Sequence, residues 1–192
     1  MGFNPLRAFV LALLSLAVMG AGPATQPSLA PPAVGDQAAD FSLNTLDGKT
    51  VHLADLLKTG PVILIELRGW VGYQCPICNR QVGEFISNSK DVLATGARVV
   101  MVYPGPADQL KDRAAEFISG KTLPDSYFFV IDPDMKFVSD WHLRWDKPGE
   151  TAYPSTFVID SKGIIRFVKI SHSHGDRATS AEVLKVLAEK AS

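Results

Sequence analysis

Two cysteines, Cys75 and Cys78, are the residues of this sequence whose type and spacing favour chemistry. They are the only cysteines among 192 residues. A bond between residues three apart closes too small a loop to stabilise a fold, so a disulfide scaffold is excluded. The pair is suited instead to thiol exchange, or to half of a metal site.

The residues around the pair predict that Cys75 begins a helix. Pro76 follows it, and proline suits the first helical position because its missing N–H would have no partner there. The positive end of a helix dipole favours a thiolate. We therefore predict Cys75 as the nucleophile. Cys78, one turn further, is predicted to resolve it, by attacking a mixed disulfide or a sulfenic acid on Cys75.

Two other interpretations of the cysteines stay open at this stage. One is an inert disulfide in an exported protein. The other is a soft-metal site, as in a copper-binding chaperone, in which His172 or His174 joins the thiols. The His-x-His spacing is tighter than structural zinc sites normally use, and both histidines follow a predicted strand. We therefore predict neither a metal nor another cofactor.

Alternating strand and helix patterns predict one α/β domain around the dithiol. Val62–Leu67 is an almost continuous apolar run, typical of a strand covered on both faces, and a helix is predicted from about Pro76 to Leu93. An Asp47-Gly48 turn predicts a hairpin ahead of them. The later patterns predict strands at 97–102, 127–131, 156–159 and 164–170, and helices around Leu110–Ile118 and Val183–Ala188.

These elements predict a mixed central sheet flanked by helices, with an N-terminal β-hairpin extension. The first strands need crossover connections and should pair in parallel, whereas the closing hairpin adds antiparallel strands. The last helix has a capping box at Thr179–Glu182. Pro104-Gly105-Pro106 is expected to break the chain before a helix, and Pro133–Trp145 to be irregular.

The first residues predict export. Arg7 precedes an apolar run, Ala8–Met19, which is too short to cross a bilayer and is followed by small residues and prolines. We interpret residues 1–24 as a signal peptide, 25–35 as a proline-rich lead-in and 36–192 as the domain. The protein is then periplasmic or extracellular with no stable membrane span after processing, the alternative being an uncleaved signal that acts as an anchor.

The overall charge argues against nucleic acid as a partner. The chain has 19 basic and 20 acidic residues, a formal net charge of -1. It therefore has no excess of positive charge to neutralise a phosphate backbone.

The chain resembles the thioredoxin-fold redoxins, and most closely the alkyl hydroperoxide reductase and thiol-specific antioxidant group, which is peroxiredoxin-like. Leu67–Gly69 ahead of Cys75–Gln81, and later Tyr153–Asp160, carry the resemblance, which covers nearly all of residues 34–190. It implies a thioredoxin-like fold and reduction of hydroperoxides or disulfides, with an external, thioredoxin-like dithiol as the reductant. It also implies that Pro154 has a cis peptide bond and lies against the active-site sulfur.

The sequence departs from the peroxiredoxin pattern P-x-x-x-[TS]-x-x-C. Arg68 stands where proline is expected, and Gly72 stands where the hydroxyl residue is expected. Tyr73 or a backbone N–H is the candidate substitute. The C-x-x-C pair itself is the arrangement of disulfide-exchange proteins, although Gln74 replaces the tryptophan that usually precedes it. Thiol-disulfide exchange on protein substrates is therefore the alternative function.

Several nearby side chains are candidates for supporting roles. Arg68, at the strand end, is the preferred cation beside Cys75, with Arg80 as the other candidate. Glu66 is unusual in an apolar strand, and it is predicted either to pair with Arg68 or to accept a proton from Cys78. The remaining candidates either line a groove beside the cysteines or pack in the core. They are Trp141, His142, Trp145 and Tyr153.

We therefore predict an exported, thiol-dependent antioxidant oxidoreductase. Its predicted catalytic residues are Cys75, Cys78, Arg68 and Pro154.

Overall fold

The computed structural model describes residues 1 and 30–189. The predicted signal peptide, beyond its first residue, and most of the lead-in lie outside the described residues, so those boundaries stay predictions. Within the described part of the chain, no helix is both long enough and apolar enough to cross a membrane.

Seven strands in the described part of the chain form one sheet, and this sheet is mixed, as predicted. The order across the sheet is β2-β1-β5-β4-β3-β6-β7. β3, β4 and β5 are mutually parallel, whereas the hairpins β1-β2 and β6-β7 are antiparallel. The strands are β1 (Ser42–Thr45), β2 (Thr50–His52), β3 (Val62–Glu66), β4 (Arg98–Gly105), β5 (Tyr127–Pro133), β6 (Ser155–Ile159) and β7 (Ile165–Ile170).

Within residues 30–189, six helices flank this sheet. They are α1 (Leu53–Leu57), α2 (Pro76–Ser87), α3 (Ser89–Ala94), α4 (Ala107–Ile118), α5 (Lys136–Asp140) and α6 (Ser180–Glu189). The predicted capping box begins α6: Glu182 N–H donates to Thr179 Oγ1 over 3.2 Å, and Glu182 Oε2 accepts from Thr179 N–H over 2.8 Å.

The central strand β3 is buried along its whole length and divides the core in two. Ile63 and Ile65 face one apolar cluster, which also contains α2, α4, α6 and the two cysteines. Val62 and Leu64 face the other cluster, with α1, α5 and the N-terminal hairpin. Successive side chains of a strand point to opposite faces of the sheet. Alternate residues of β3 therefore face the dithiol, and the residues between them face the other cluster.

The predicted helix over 76–93 breaks at Asn88. The Asn88 backbone leaves the helical region, with φ −97° and ψ 15°, and its side-chain amide donates to the Glu84 carbonyl over 3.0 Å. Asparagine competes with the backbone for such hydrogen bonds, which ends α2 and lets α3 begin.

The region after β4 also differs from prediction. β4 is longer than the predicted strand at 97–102 and continues through Pro104 and Gly105, which pair with β5. The expected break before the next helix comes at Pro106. The segment predicted to be irregular contains α5. Its first N–H groups are bound by the carboxylate of Asp132, which accepts from Phe137 N–H over 2.8 Å and from Val138 N–H over 3.1 Å.

Candidate active site

Cys75 occupies the N-cap of α2, with Pro76 directly after it, as predicted. Its backbone is extended, with φ −75° and ψ 110°, and its sulfur accepts a hydrogen bond from the Cys78 N–H over 3.2 Å. Both cysteines are free thiols. The helix N-terminus therefore directs a backbone donor at the first sulfur.

The environment makes the two thiols unequal. The hydrogen bond from the Cys78 side chain is the main cause that lowers the pKa of Cys75 to about 5. Burial opposes this shift, and the Cys78 N–H, Arg177 and Arg68 add to it. The hydrogen bond to Cys75 and burial raise the pKa of Cys78 well above its ordinary value. At neutral pH Cys75 is a thiolate and Cys78 a neutral thiol.

The dithiol is recessed from the surface. Cys75 is 4% exposed, Cys78 is fully buried, and both belong to the cluster on the α2 face of the sheet. Because only Cys75 has any exposed surface, it is the sulfur that a substrate can approach first.

The loop before Cys75 is fixed by β4. Gly69 has φ +72°, and a Cβ there would lie 1.9 Å from the Pro104 carbonyl oxygen. The next residue, Trp70, donates its N–H to that same oxygen over 2.9 Å. Further along, Gln74 accepts from the Tyr103 hydroxyl over 2.7 Å. The path of the loop that precedes Cys75 therefore requires a glycine at position 69.

Arg68 lies beside the site, and all three of its guanidinium nitrogens are engaged. Nε donates to Glu150 over 2.5 Å, Nη1 to the Tyr73 hydroxyl over 2.8 Å, and Nη2 to the Gly149 carbonyl over 2.8 Å. The side chain is only 3% exposed. The predicted ion pair between Arg68 and Glu66 is therefore wrong, because Glu150, 82 residues further along the chain, takes that place.

Glu66 faces away from the dithiol. Ile65 and Leu67 lie in the cluster with the cysteines, so strand alternation turns Glu66 to the opposite side. It is completely buried, and neither carboxylate oxygen has a hydrogen-bond partner among the described residues. Burial, and secondly the charge of Asp132, raise its pKa well above the ordinary value. This placement does not support proton transfer from Cys78 to Glu66.

Arg177 is the site residue that sequence reasoning missed. Its Nη2 lies 3.7 Å from the Cys78 sulfur, and its Nε donates to the His174 carbonyl over 3.0 Å. Its charge lowers the pKa of Cys75 more than that of Arg68 does. The one signal in the sequence was a basic residue just ahead of the capping box of α6. The other predicted cation, Arg80, is exposed and its side chain has no partner within the described chain.

His172 and His174 do not form a metal site with the two cysteines, as the copper-chaperone interpretation would require. His174 Nε2 is 2.8 Å from Glu150 Oε1, and the His172 ring packs against the Tyr153 ring at 4.9 Å. Across the described residues, no group of three or more histidine, cysteine, aspartate or glutamate side chains is placed to hold a metal ion.

Pro154 differs from what the resemblance implied. Every peptide bond among the described residues is trans, including the bond between Tyr153 and Pro154. The trans form is the favoured isomer for most X-Pro bonds, and here the neighbouring backbone is held on both sides. Tyr153 N–H donates to the Leu143 carbonyl over 2.8 Å, and the Pro154 carbonyl accepts from Ser171 N–H over 2.9 Å. Pro154 is buried and directly precedes β6.

The late aromatic residues separate into two groups. Trp141 packs in the cluster on the far face of the sheet, against Phe137 and Phe157, so it lines no groove beside the cysteines. Trp145 and Tyr153 stack on each other at 4.9 Å. Core packing is therefore the correct interpretation for Trp141.

Comparison with known proteins agrees with this fold and site. The AhpC/TSA family pattern matches residues 34–168. A Mycobacterium tuberculosis protein described as a peroxiredoxin, found in two strains, is 30% identical over 137 residues, which cover 68% of this chain and 80% of that protein.

Solved structures share the fold. The peroxidoxin BcpB of Mycobacterium tuberculosis superposes with a TM-score of 0.64 at 24% identity, over 81% of this chain and 94% of that one. The mitochondrial 2-Cys peroxiredoxin of Plasmodium falciparum gives 0.63 at 17% identity, over 83% and 94% of the two chains. Their low identity limits these comparisons to the fold.

A thioredoxin-like fold that presents a thiolate at a helix N-terminus defines a thiol oxidoreductase. The chain belongs to the AhpC/TSA family, and its relatives make it a peroxiredoxin-like antioxidant enzyme.

Proposed function

We propose that the protein reduces hydroperoxides with Cys75 as the attacking thiolate. The sulfur of Cys75 attacks one peroxide oxygen, the O–O bond breaks, and the Cys75 sulfur becomes a sulfenic acid. The other oxygen leaves and takes a proton to become water or an alcohol. The observation that carries the proposal is the Cys78 N–H directed at the Cys75 sulfur over 3.2 Å, which favours the thiolate at neutral pH.

We propose that Cys78 then resolves the sulfenic acid. Its sulfur attacks the Cys75 sulfur, the S–O bond breaks, and the thiol proton leaves with the hydroxyl group as water. The two residues lie one helical turn apart on α2, so the disulfide can form within that turn. A thioredoxin-like dithiol would return both sulfurs to the reduced form.

We propose that Tyr73 substitutes for the hydroxyl that Gly72 lacks. The Tyr73 oxygen accepts a hydrogen bond from Arg68 over 2.8 Å, which leaves its own hydrogen free to donate to a peroxide oxygen. Tyr73 is half exposed and precedes Cys75 by two residues, so a substrate can reach its side chain. Arg177 and Arg68 supply the positive charge that favours the thiolate.

Thiol-disulfide exchange is the second candidate function. Two features favour it: the C-x-x-C spacing, and the glycine at the position of the family's peroxide-orienting hydroxyl. The same Cys75 thiolate would attack a substrate disulfide, and Cys78 would release the product.

A rapid-mixing experiment separates the two functions. Reduced protein is mixed with one equivalent of hydrogen peroxide, and disulfide formation is followed by acid quenching, alkylation and mass spectrometry. We expect oxidation faster than that of free cysteine by several orders of magnitude. An equal rate would contradict the peroxidase proposal and leave disulfide exchange.

Variants of the two cysteines assign their roles. Cys75→Ser should lose the fast reaction entirely. Cys78→Ser should keep it but stop at a sulfenic acid, seen as one added oxygen in the mass spectrum. The roles are reversed if Cys75→Ser retains the reaction and Cys78→Ser loses it.

We also propose that the protein is exported. The support is the basic residue, apolar run and small residues within 1–24. Expression of the full chain in a bacterial host, followed by fractionation and N-terminal sequencing, tests this. We expect a shortened chain outside the cytoplasm, and a full-length cytoplasmic chain would contradict export.

A further inference from the structure

His174, on the loop between β7 and α6, contacts a charged residue of the site that lies 24 positions earlier in the chain. Its Nε2 is 2.8 Å from Oε1 of Glu150. Glu150 binds Arg68 through its other oxygen, Oε2, and Arg68 donates to the Tyr73 hydroxyl over 2.8 Å. A continuous series of hydrogen bonds therefore runs from His174 to the hydroxyl that we propose as the donor to the peroxide.

The hydrogen bond between His174 and Glu150 does not depend on the charge of the imidazole. Burial tends to raise the pKa of Glu150, but the hydrogen bonds from Arg68 and His174 outweigh it, and the net shift of this pKa is downward. Glu150 is therefore a carboxylate at neutral pH, and a carboxylate only accepts hydrogen bonds. Nε2 of His174 carries the hydrogen in the neutral ring as well as in the imidazolium.

The guanidinium of Arg68 is planar, so its contacts on one side determine where the other side points. Nε donates to the Glu150 carboxylate over 2.5 Å, and Nη2 donates to the Gly149 carbonyl over 2.8 Å. With these two nitrogens held, Nη1 is directed at the Tyr73 hydroxyl. A displacement of Glu150 would therefore turn the guanidinium and move the hydroxyl that it binds.

The Glu150 side chain depends on its partners for its position. It lies between α5 and β6, on a described segment that has neither helix nor strand. Its two side-chain hydrogen bonds within the described chain are those with Arg68 and His174. His174 is therefore the contact that holds Glu150 from the side opposite Arg68.

The backbone around His174 is itself held in place. Arg177 Nε donates to the His174 carbonyl over 3.0 Å. The hydroxyl of Ser171, a buried residue, donates to the carbonyls of Ser173 and Gly175, on either side of His174. The imidazole is therefore attached to an ordered turn and can fix the position of the carboxylate that it contacts.

We propose that His174 is a positioning residue for peroxide reduction, which acts through Glu150 and Arg68 to orient the Tyr73 hydroxyl. His174 is not a reacting group, since its side chain acts only through the residues that it holds. This inference rests on the proposed function, because it concerns the step in which the Cys75 thiolate attacks the peroxide.

Two reagents that react with the same thiolate test this role. Hydrogen peroxide requires the oriented hydroxyl according to the proposal, whereas iodoacetamide requires only an accessible thiolate. Both reactions are followed at Cys75 by quenching and mass spectrometry at pH 7. The ratio of the peroxide rate constant to the iodoacetamide rate constant does not depend on the fraction of thiolate, so it measures the orientation of the donor.

We expect His174→Ala to lower this ratio about fivefold, which corresponds to the net contribution of one hydrogen bond. His174→Gln should recover most of the ratio, because its amide can still donate to Glu150. A parallel change in both rate constants would leave the ratio unaltered. That result would show that His174 merely supports the fold, and it would overturn the proposal.

His172→Ala is the matched control, because His172 is an exposed histidine of the same loop. Both rings pack against the same aromatic stack, His174 against Trp145 at 5.4 Å and His172 against Tyr153 at 4.9 Å. Of the two histidines, His174 is the one whose ring contacts Glu150. His172→Ala should therefore keep the wild-type ratio, and a fall as large as that of His174→Ala would contradict the assignment.

A double-mutant cycle with Tyr73→Phe identifies the route of the effect. Once the Tyr73 hydroxyl is removed, His174→Ala should lower the ratio little further, because the two residues act in series. A full fivefold fall in the Tyr73→Phe background would overturn the proposal.

The wild-type protein separates this inference from the function on which it rests. Wild-type oxidation by peroxide no faster than that of free cysteine contradicts the proposed function. Fast wild-type oxidation with an unchanged ratio in His174→Ala contradicts only the role of His174.

Discussion

The N–H of Cys78 lies 3.2 Å from the sulfur of Cys75, across the first turn of α2. The residue that we propose as the resolving thiol thus also stabilises the nucleophile through its backbone. Its side chain has the same effect, since the hydrogen bond from the Cys78 thiol is the main cause of the lowered pKa of Cys75. The two cysteines therefore lie on one helical turn, so the disulfide that we propose needs no residue from another element.

The rate of oxidation should depend on pH through Cys75. The thiolate is the nucleophile and its pKa is about 5, so the rate should be half-maximal near pH 5 and constant from about pH 6.5 to 8. Below pH 5 it should fall about tenfold per pH unit. Stopped-flow mixing with hydrogen peroxide across pH 4 to 8 measures this. A rate that still rises about tenfold between pH 7 and 8, as for free cysteine, would contradict the lowered pKa.

Two substitutions should raise, by different amounts, the pH at which Cys75 is half ionised. Cys78→Ala removes the largest cause of the shift, whereas Arg177→Gln removes a smaller one, so Cys78→Ala should move the midpoint further. Alkylation of Cys75 by iodoacetamide against pH measures both variants without needing the disulfide. A larger change for Arg177→Gln would reverse the assigned order of causes.

Glu150→Ala should destabilise the protein by about 3 kcal/mol, because it leaves the buried Arg68 charge without its carboxylate. Glu150 is itself only 11% exposed and also contacts His174. The matched control is Asp146→Ala, whose carboxylate is 83% exposed and lies 3.5 Å from Arg144. It should cost less than about 1 kcal/mol. Urea unfolding at pH 7 measures the free energy of unfolding of both variants. Equal losses of stability would show that burial of the Arg68–Glu150 pair does not contribute to stability.

Glu66→Gln should change how the free energy of unfolding depends on pH, because it removes a buried group that titrates. The pKa of Glu66 is raised in the folded state. Its contribution to the free energy of unfolding is therefore most favourable below about pH 4.5, and it decreases as the pH rises toward the folded pKa. The slope is about 1.4 kcal/mol per pH unit in that interval. Glutamine resembles the protonated acid, so the variant should be increasingly more stable than wild type as the pH rises.

Urea unfolding between pH 4 and 8 tests this, with Glu189→Gln as a control at an exposed position of α6. The control should run parallel to wild type over the whole range. A parallel curve for Glu66→Gln as well would mean that Glu66 ionises normally in the folded protein.

Gly69→Ala should destabilise the loop ahead of Cys75 by about 2 kcal/mol or more, since the new Cβ meets the Pro104 carbonyl and φ is +72°. Gly72→Ala is the matched control in the same loop. It has φ +106°, but a Cβ there meets no atom within 4 Å, so its cost should be smaller. Urea unfolding and the rate of oxidation are measured together. Equal costs would show that contact with Pro104 is unimportant.

The sequence alone determined the features that depend on neighbours along the chain. Cys75 precedes Pro76, which predicted the helix N-terminus and the unequal thiols, and the capping box at Thr179 predicted the start of α6. The alternation of strands and helices predicted the mixed sheet. These succeeded because helix capping and strand periodicity act over a few residues.

Only the tertiary structure decided the partners that lie far apart along the chain. Arg68 pairs with Glu150 across 82 residues, and Arg177 reaches Cys78 across 99. Glu66 and Arg68, two residues apart near the end of one strand, suggested a pair that the fold does not form. The ion-pair partner of a long side chain depends on how loops and sheet faces pack in the tertiary structure. The spacing of residues along the chain does not determine it.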